Sequence, residues 1–318
     1  MLERVYTGGA EGESDRPAGP GGEGDWYVPA VDLGLFLGAG VPPGTPAWLS
    51  AVAQAGDARG FSSLWLGEHV VLFDEHEKNY PYAESGDFAI KGEAGMAEPF
   101  TTLSFLAGMT SRIRLGTGVC LVPQRNPLYT AKEVANLDWL SGGRFDFGIG
   151  VGWQREEFEA LGVPFEHRGR RTDEYIELMR RLWCDAVSSF EGEFWSLPPC
   201  RAYPKPVQQP HPPIHVGGES DVALRRVVRL GANWFPFNVD PETLADRRAV
   251  LADLLDAEGR SIDDVYVTAR PSPAATGPEH LPAFAEAGAD QVVLWISPKL
   301  APEAVPDRLD EMATAAGF

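Results

Sequence analysis

The chain has 318 residues, 44% of them apolar, with 46 acidic against 27 basic side chains and a formal net charge of −19 at pH 7. That acidic excess excludes sequence-independent nucleic-acid binding, which needs Lys and Arg to neutralise phosphates, and it excludes a basic membrane-surface helix. The length allows one large domain or two ordinary ones. The three cysteines (Cys120, Cys184, Cys200) form neither a CxxC pattern nor a disulfide framework, so a reducing cytoplasm is the expected location.

Residues 1–29 are rich in Gly, Pro and Glu and contain no apolar run. They cannot bury a core or act as a secretory signal, and a flexible extension is expected there. No stretch of the chain reaches the roughly 18 apolar residues of a membrane span. From residue 31 onward, strand-like and helix-like segments alternate. Strands are predicted at 31–37, 63–69, 113–122, 145–152, 214–218, 233–238, 265–270 and 291–297. Helices are predicted at 46–58, 99–109, 155–161, 172–184, 221–230 and 241–258, around 279–287 and from 302. In the central unit, Asn126 and Pro127 open a further helix as N-cap and first residue, and Gly142 and Gly143 stop it. Val134, Leu137 and Leu140 share a face of this helix by spacing, as do Ile176, Met179 and Trp183 of a later one. Gly148, Gly150 and Gly152 alternate, which puts all three on one side of a strand. That side either packs tightly or makes room for something flat.

Eight strands alternating with helices predict an α/β fold of the (β/α)8 TIM-barrel type. A doubly wound sheet would carry a glycine-rich fingerprint after its first strand. Here Gly38-Ala39-Gly40 runs into Pro42-Pro43, which cannot open such a helix. Chemistry in a barrel gathers at the carboxyl ends of the strands. Glu68 and His69 end strand two, Gly118 and Val119 lie near the end of strand three, and Val151, Gly152 and Trp153 end strand four. Gly217 and Gly218 end strand five, just before a helix that Ser220 would cap, an arrangement that suits a phosphate. A proton-shuttling histidine, a glycine-lined wall and a phosphate cradle together describe a site for a flat phosphorylated cofactor.

The long segment 70–97 is assigned to substrate enclosure, with Tyr80 and Tyr82 as wall residues. Arg125, Arg155, Arg168, Arg170 and Arg171 are the candidates for a local basic patch. A rival reading is a metal-dependent barrel hydrolase, using His211, His215 and Glu219 or Glu68, His69, Asp74 and His76. Pro212 and Pro213 forbid the helix that would put the first set on one face, and no metal site is expected.

The strings at 60–69 (GFSSLWLGEH), 111–144 (with LGTGV, RNP and LSGGR), 147–165 (FGIGVGWQREEFEALGVPF) and 204–220 (PKPVQQPHPPIHVGGES) resemble the luciferase-like monooxygenase superfamily. The chain is most similar there to the coenzyme F420-dependent oxidoreductases typical of actinobacteria. The resemblance covers residue 31 to the C-terminus and implies a single luciferase-like barrel over 30–318. It implies that Glu68 and His69 face a flavin or deazaflavin ring, with His69 as acid/base, and that a non-prolyl cis peptide joins Gly118 to Val119. It also implies cofactor contacts from Val151, Gly152 and Trp153, and a phosphate site at Gly217, Gly218 and Ser220.

Two positions depart from the family pattern. Val151 stands where luciferases proper carry a phosphate-binding arginine, which favours the deazaflavin over FMN. Asn126 stands where many relatives have histidine. The expected function is F420-dependent hydride transfer to or from a small organic substrate. The alternatives are an FMN-dependent two-component monooxygenase and a non-catalytic cofactor-binding member. A homodimer is implied by resemblance alone.

Overall fold

In the structure, a computed structural model that describes residues 31–38, 44–88 and 95–316, the predicted alternation closes into a barrel. The extension expected at 1–29 lies outside the described residues. The parallel strands are β1 (Asp32–Leu37), β2 (Ser63–Leu66), β3 (Arg114–Thr117), β4 (Phe145–Gly150), β5 (Ile214–Gly217), β6 (Asn233–Phe235), β7 (Thr268–Pro271) and β8 (Gln291–Trp295). Each pairs with its sequence neighbour, β8 pairs back to β1, and a bridge between Trp234 and Val267 closes the seam between β6 and β7. The barrel helices are α1 (Pro46–Arg59), α2 (Pro99–Ala107), α3 (Pro127–Ser141), α4 (Arg168–Cys184), α5 (Asp221–Leu230), α6 (Pro241–Asp256), α7 (Leu281–Glu286) and α8 (Val305–Ala315), and a further short helix, Arg155–Ala160, precedes α4. No helix among the described residues is long and apolar enough to cross a membrane.

Local chemistry explains the helix ends. Thr45, Glu98, Asn126 and Asp240 accept hydrogen bonds from the first free N–H groups of α1, α2, α3 and α6, and each precedes a proline that needs no partner. Gly60, Gly142 and Gly231 close α1, α3 and α5 in the left-handed conformation. Asn126, read as a departure from relatives, therefore has a structural task.

Several expectations are corrected. Strand two ends at Leu66, and residues 67–69 leave the ladder. Strand three breaks at Gly118–Val119, whose peptide bond is cis, and resumes as the short strand Cys120–Leu121 beside β4. Strand six is split, and Phe237–Val239 pairs with β7. Residues Ser188–Glu191 and Ser196–Cys200 form an antiparallel hairpin where no strand is predicted. Its second strand, SLPPC, contains two prolines, which only an edge strand tolerates.

Ile176, Met179 and Trp183 share a buried face of α4 as predicted. In α3, Val134 and Leu137 are buried but Leu140 is 53% exposed, and Asp138 is buried in its stead. The Asp138 carboxylate accepts from Val207 N at 2.6 Å, Gln208 N at 3.0 Å and Gln208 Nε2 at 2.6 Å, which ties the proline-rich connector to the barrel. Three strong donors outweigh the cost of burying the charge.

The barrel interior is layered. Its amino-terminal end is polar: Arg114 Nε donates to Asp146 Oδ2 at 2.7 Å, Ser63 Oγ donates to Gln291 Oε1 at 3.0 Å, and His215 is buried beside Asp146. Above this lies Trp65, 1% exposed, with Nε1 donating to Ser63 Oγ at 2.7 Å. A side chain at Gly116 would collide with the Trp65 indole, and one at Gly148 would collide with the Thr117 carbonyl. The glycines of β3 and β4 thus make room for protein. Phe36, Phe235 and Val293 complete the upper apolar layer with Trp65.

Gly148→Ala pushes a methyl group into backbone that cannot move aside, and about 3 kcal/mol of stability is expected to be lost. Gly95→Ala, with no described residue within 4 Å of the new carbon, serves as the control. Urea unfolding midpoints for the two variants measure the difference. Asp138→Ala removes the acceptor shared by the part-buried Val207 N, Gln208 N and Gln208 Nε2 and is expected to cost about 2 kcal/mol.

Candidate active site at the carboxyl ends of the strands

His69 follows β2 by three residues and reaches the barrel mouth with its side chain 8% exposed. Its Nδ1 lies 3.0 Å from Glu157 Oε2. Glu157 is fully buried on the short helix Arg155–Ala160 and also accepts from Val70 N at 2.7 Å and Gln124 Nε2 at 3.0 Å. Burial works against the charge, but His69, Gln124 and the Val70 N–H together hold the Glu157 carboxyl below the usual carboxylate range. A carboxylate on Nδ1 fixes the proton there and leaves Nε2 as the basic nitrogen of the neutral ring. The sequence reading overlooked Glu157, whose only signal was an acid beside the apolar Phe158 in REEFEA.

Glu68 does not stand with His69. Its carboxylate accepts from Leu121 N at 2.6 Å and pairs with Arg125, which also holds Glu133 at 2.8 Å. Burial pushes the Glu68 carboxyl up despite Arg125 and the Leu121 N–H. The chain leaves the ladder after Leu66, and beyond it Glu68 turns to Arg125 and Leu121 while His69 turns to Glu157.

The glycines of the mouth carry Val119. A side chain at Gly150 would meet Val119 Cγ2 at 2.5 Å, and one at Gly217 would meet Val119 Cγ1 at 3.0 Å. Val119 lies across both and packs on the Phe36–Trp65–Phe235–Val293 cluster, giving the mouth a flat apolar floor. Gly152 has left the strand with φ 73° and backs onto Phe158, so it does not share the face of Gly148 and Gly150.

The segment after His69 folds over this floor. Trp153 stands 5.9 Å from the His69 ring and 5.1 Å from Tyr80, Phe88 stands 5.4 Å from His69, and Tyr82 rests 5.0 Å from Phe237. Tyr80 and Tyr82 are therefore at the mouth, as expected of wall residues. Glu219 accepts from Phe237 N and bonds the Tyr82 side chain. Burial raises its pKa to about 7 against the Phe237 N–H, Tyr82 and Arg247. Arg270, inward from β7, lies 4.8 Å from the Phe237 ring centre. Neither Arg270 nor Phe237 was singled out in the sequence, although a charged residue ending a barrel strand is a signal of the kind that picked out His69.

At the β5–α5 turn, Gly218 has φ 105° and Ser220 Oγ accepts from Ala223 N at 3.3 Å, while Arg247 is engaged by Asp221. Of the five arginines expected to form a basic patch, Arg155 and Arg168 both stack on Phe165, and each of the five is engaged by neighbours. Arg125 serves Glu68 and Glu133, Arg155 pairs with Glu166, Arg170 with Glu193, Arg168 donates to the Gly152 carbonyl, and Arg171 to the carbonyls of Pro123 and Pro164. His211 bonds its neighbour Pro212, while His215 lies inside the barrel. Among the described residues, no group of three or more His, Cys, Asp or Glu could hold a metal ion.

The sequence profile of the luciferase-like monooxygenases matches residues 32–315. An uncharacterized protein of Mycobacterium tuberculosis is 32% identical over 265 residues, covering 82% of this chain and 90% of the relative. The oxygenase component of a flavin-dependent trigonelline monooxygenase from Acinetobacter baylyi is 32% identical over 184 residues, covering 57% of this chain and 46% of the relative. Among solved structures, an F420-dependent secondary alcohol dehydrogenase in complex with an F420-acetone adduct superposes with a TM-score of 0.71 at 16% identity, over 90% of this chain and 99% of that one. A match spanning almost every described residue, on a barrel with this rim, places the chain in the luciferase-like monooxygenase family.

Proposed function

We propose that the chain is a coenzyme F420-dependent oxidoreductase that moves hydride between the deazaflavin and a small organic substrate. The observation that carries the reading is the His69–Glu157 pair at the carboxyl end of β2, with Nδ1 fixed by a buried carboxylate. The floor formed by Val119 over Gly150 and Gly217 fits a flat tricyclic ring, and Trp153 and His69 stand beside it. Beside Gly218, the first N–H groups of α5 after Ser220 would meet a phosphate in place of a cation.

When bound, F420 supplies a two-electron hydride donor or acceptor. His69 Nε2 delivers or takes up the proton that balances the hydride, while Glu157 holds the imidazole in one tautomer. Trp153 and the aromatic segment exclude water from the floor. Glu68 joins strand two to Arg125 and acts as a positioning residue. Val151 is a neutral side chain at the place where luciferases proper carry a phosphate-binding arginine, which favours the deazaflavin. The second reading, an FMN-dependent monooxygenase, is favoured by the similarity to the trigonelline monooxygenase, a flavin-dependent enzyme by its name.

Fluorescence titration with F420 and, separately, FMN tests the choice. Micromolar binding of F420, with FMN about tenfold weaker or worse, is expected. The reverse order transfers the protein to the oxygen-inserting enzymes, and binding of neither removes the cofactor reading. With a turned-over substrate in hand, His69→Ala is expected to lower kcat/KM by about 10²–10⁴-fold. Glu157→Gln is expected to lower kcat with little change in KM. The ¹⁵N spectrum of His69 separates positioning from folding: one tautomer in the native protein, and a mixture in Glu157→Gln.

A further inference from the structure

Arg270 stands at the mouth with its charge uncompensated. Some arginines of the chain find carboxylates, as Arg114 finds Asp146, Arg226 finds Asp173 and Arg247 finds Asp221, and others, such as Arg144 and Arg171, are held by several backbone carbonyls or hydroxyls. Among the described residues Arg270 has no carboxylate partner. Its Nη1 donates to the adjacent Pro271 carbonyl at 2.7 Å, and among the described titratable groups the Tyr80 hydroxyl faces its charge. Its remaining nitrogens are neither bonded to a described residue nor sealed from solvent. The guanidinium lies over two aromatic faces, 5.6 Å from the Phe36 ring centre and 4.8 Å from that of Phe237. Stacking of this kind offsets part of the cost of withdrawing a cation from water, but it leaves most of the five N–H donors unused.

The place of this cation adds to the argument. The order of strands puts β7 across the barrel from β3, so Arg270 stands across the mouth from Val119. Between them the walls are flat rings: Phe36, Phe237, Tyr80 and Tyr82. Resting on the functional reading above, we propose that Arg270 is the specificity-determining residue of the mouth, and that the substrate is a small planar, aromatic carboxylate whose anion it binds. A single guanidinium presents two parallel N–H donors that match a carboxylate, and the rings match a planar body. A phosphate dianion fits less well. It would call for a second cation, and among the described residues none bears on Arg270.

Calorimetric titration of the purified chain with benzoate and with benzamide tests this, first without cofactor and then loaded with whichever of F420 or FMN binds. The two probes share a ring and differ in charge. Benzoate is expected to bind at least about tenfold more tightly than benzamide in one or both states, with the preference shrinking as salt is added. Arg270→Gln is expected to abolish the preference while leaving the cofactor's Kd within about twofold of the native value. Equal affinity for the two probes in both states overturns the proposal, and needs no variant to do so. A preference that survives in a folded Arg270→Gln overturns it as well, as does a loss of cofactor affinity in place of benzoate affinity, which would assign Arg270 to the cofactor's own anion. Because the first arm uses cofactor-free protein, failure of the F420 reading and failure of the Arg270 assignment give different results.

Discussion

The indole of Trp65 spans the barrel interior at a level where Gly116 supplies no side chain and Gly148 lies against the backbone of β3. Its ring is fully enclosed, and its one polar atom is satisfied by Ser63 and Gln291 on the polar side below. That single placement divides the barrel in two. Beneath it, charged and polar side chains pair among themselves, with Arg114 on Asp146 and His215 alongside. Above it, Phe36, Phe235, Val293 and Val119 form an apolar plate. The plate is the floor of the mouth, so the site inherits its flatness from a packing solution in the core.

Electrostatics at the mouth follow from the way each residue turns once β2 has ended at Leu66. Glu68 and His69 are neighbours in sequence, yet one turns out to Arg125 and the other turns in. The inward histidine meets a different carboxylate, Glu157, carried by a short helix after β4. A buried carboxylate accepting from an imidazole, an amide and a backbone N–H keeps its charge because each donor replaces a lost water. The same short helix supplies Phe158, which fills the space behind Gly152. Position and protonation of His69 are therefore tied to the packing of β4's end.

Much of the architecture was legible along the chain. The helix boundaries carried their own chemistry: a capping side chain, a proline at the first position, a glycine beyond the last. Asn126, Pro127 and Gly142 bound α3 where the spacing put it. The order of strands and helices followed from their alternation, and the histidine at the end of strand two was found because barrel chemistry gathers there. Readings that depended on partners far along the chain failed. Leu140 was placed inside by periodicity, but Asp138 took the interior because the backbone of Val207 and Gln208 arrives there with unsatisfied donors. The five arginines read as a basic patch were each claimed by a carboxylate or a carbonyl. The hairpin at Ser188–Cys200 was missed because its edge strand is proline-rich and has no alternation to read.

The sequence by itself determined the (β/α)8 order, the caps and stops of the helices, the family, and His69 as a residue at the strand ends, because each rests on local chemistry or on a contiguous string. Only the tertiary structure decided what the alternating glycines accommodate, which carboxylate meets His69, and that Arg270 reaches the aromatic mouth without an acidic partner among the described residues. Those depend on contacts between positions dozens to hundreds of residues apart, which barrel closure brings together and no local pattern encodes.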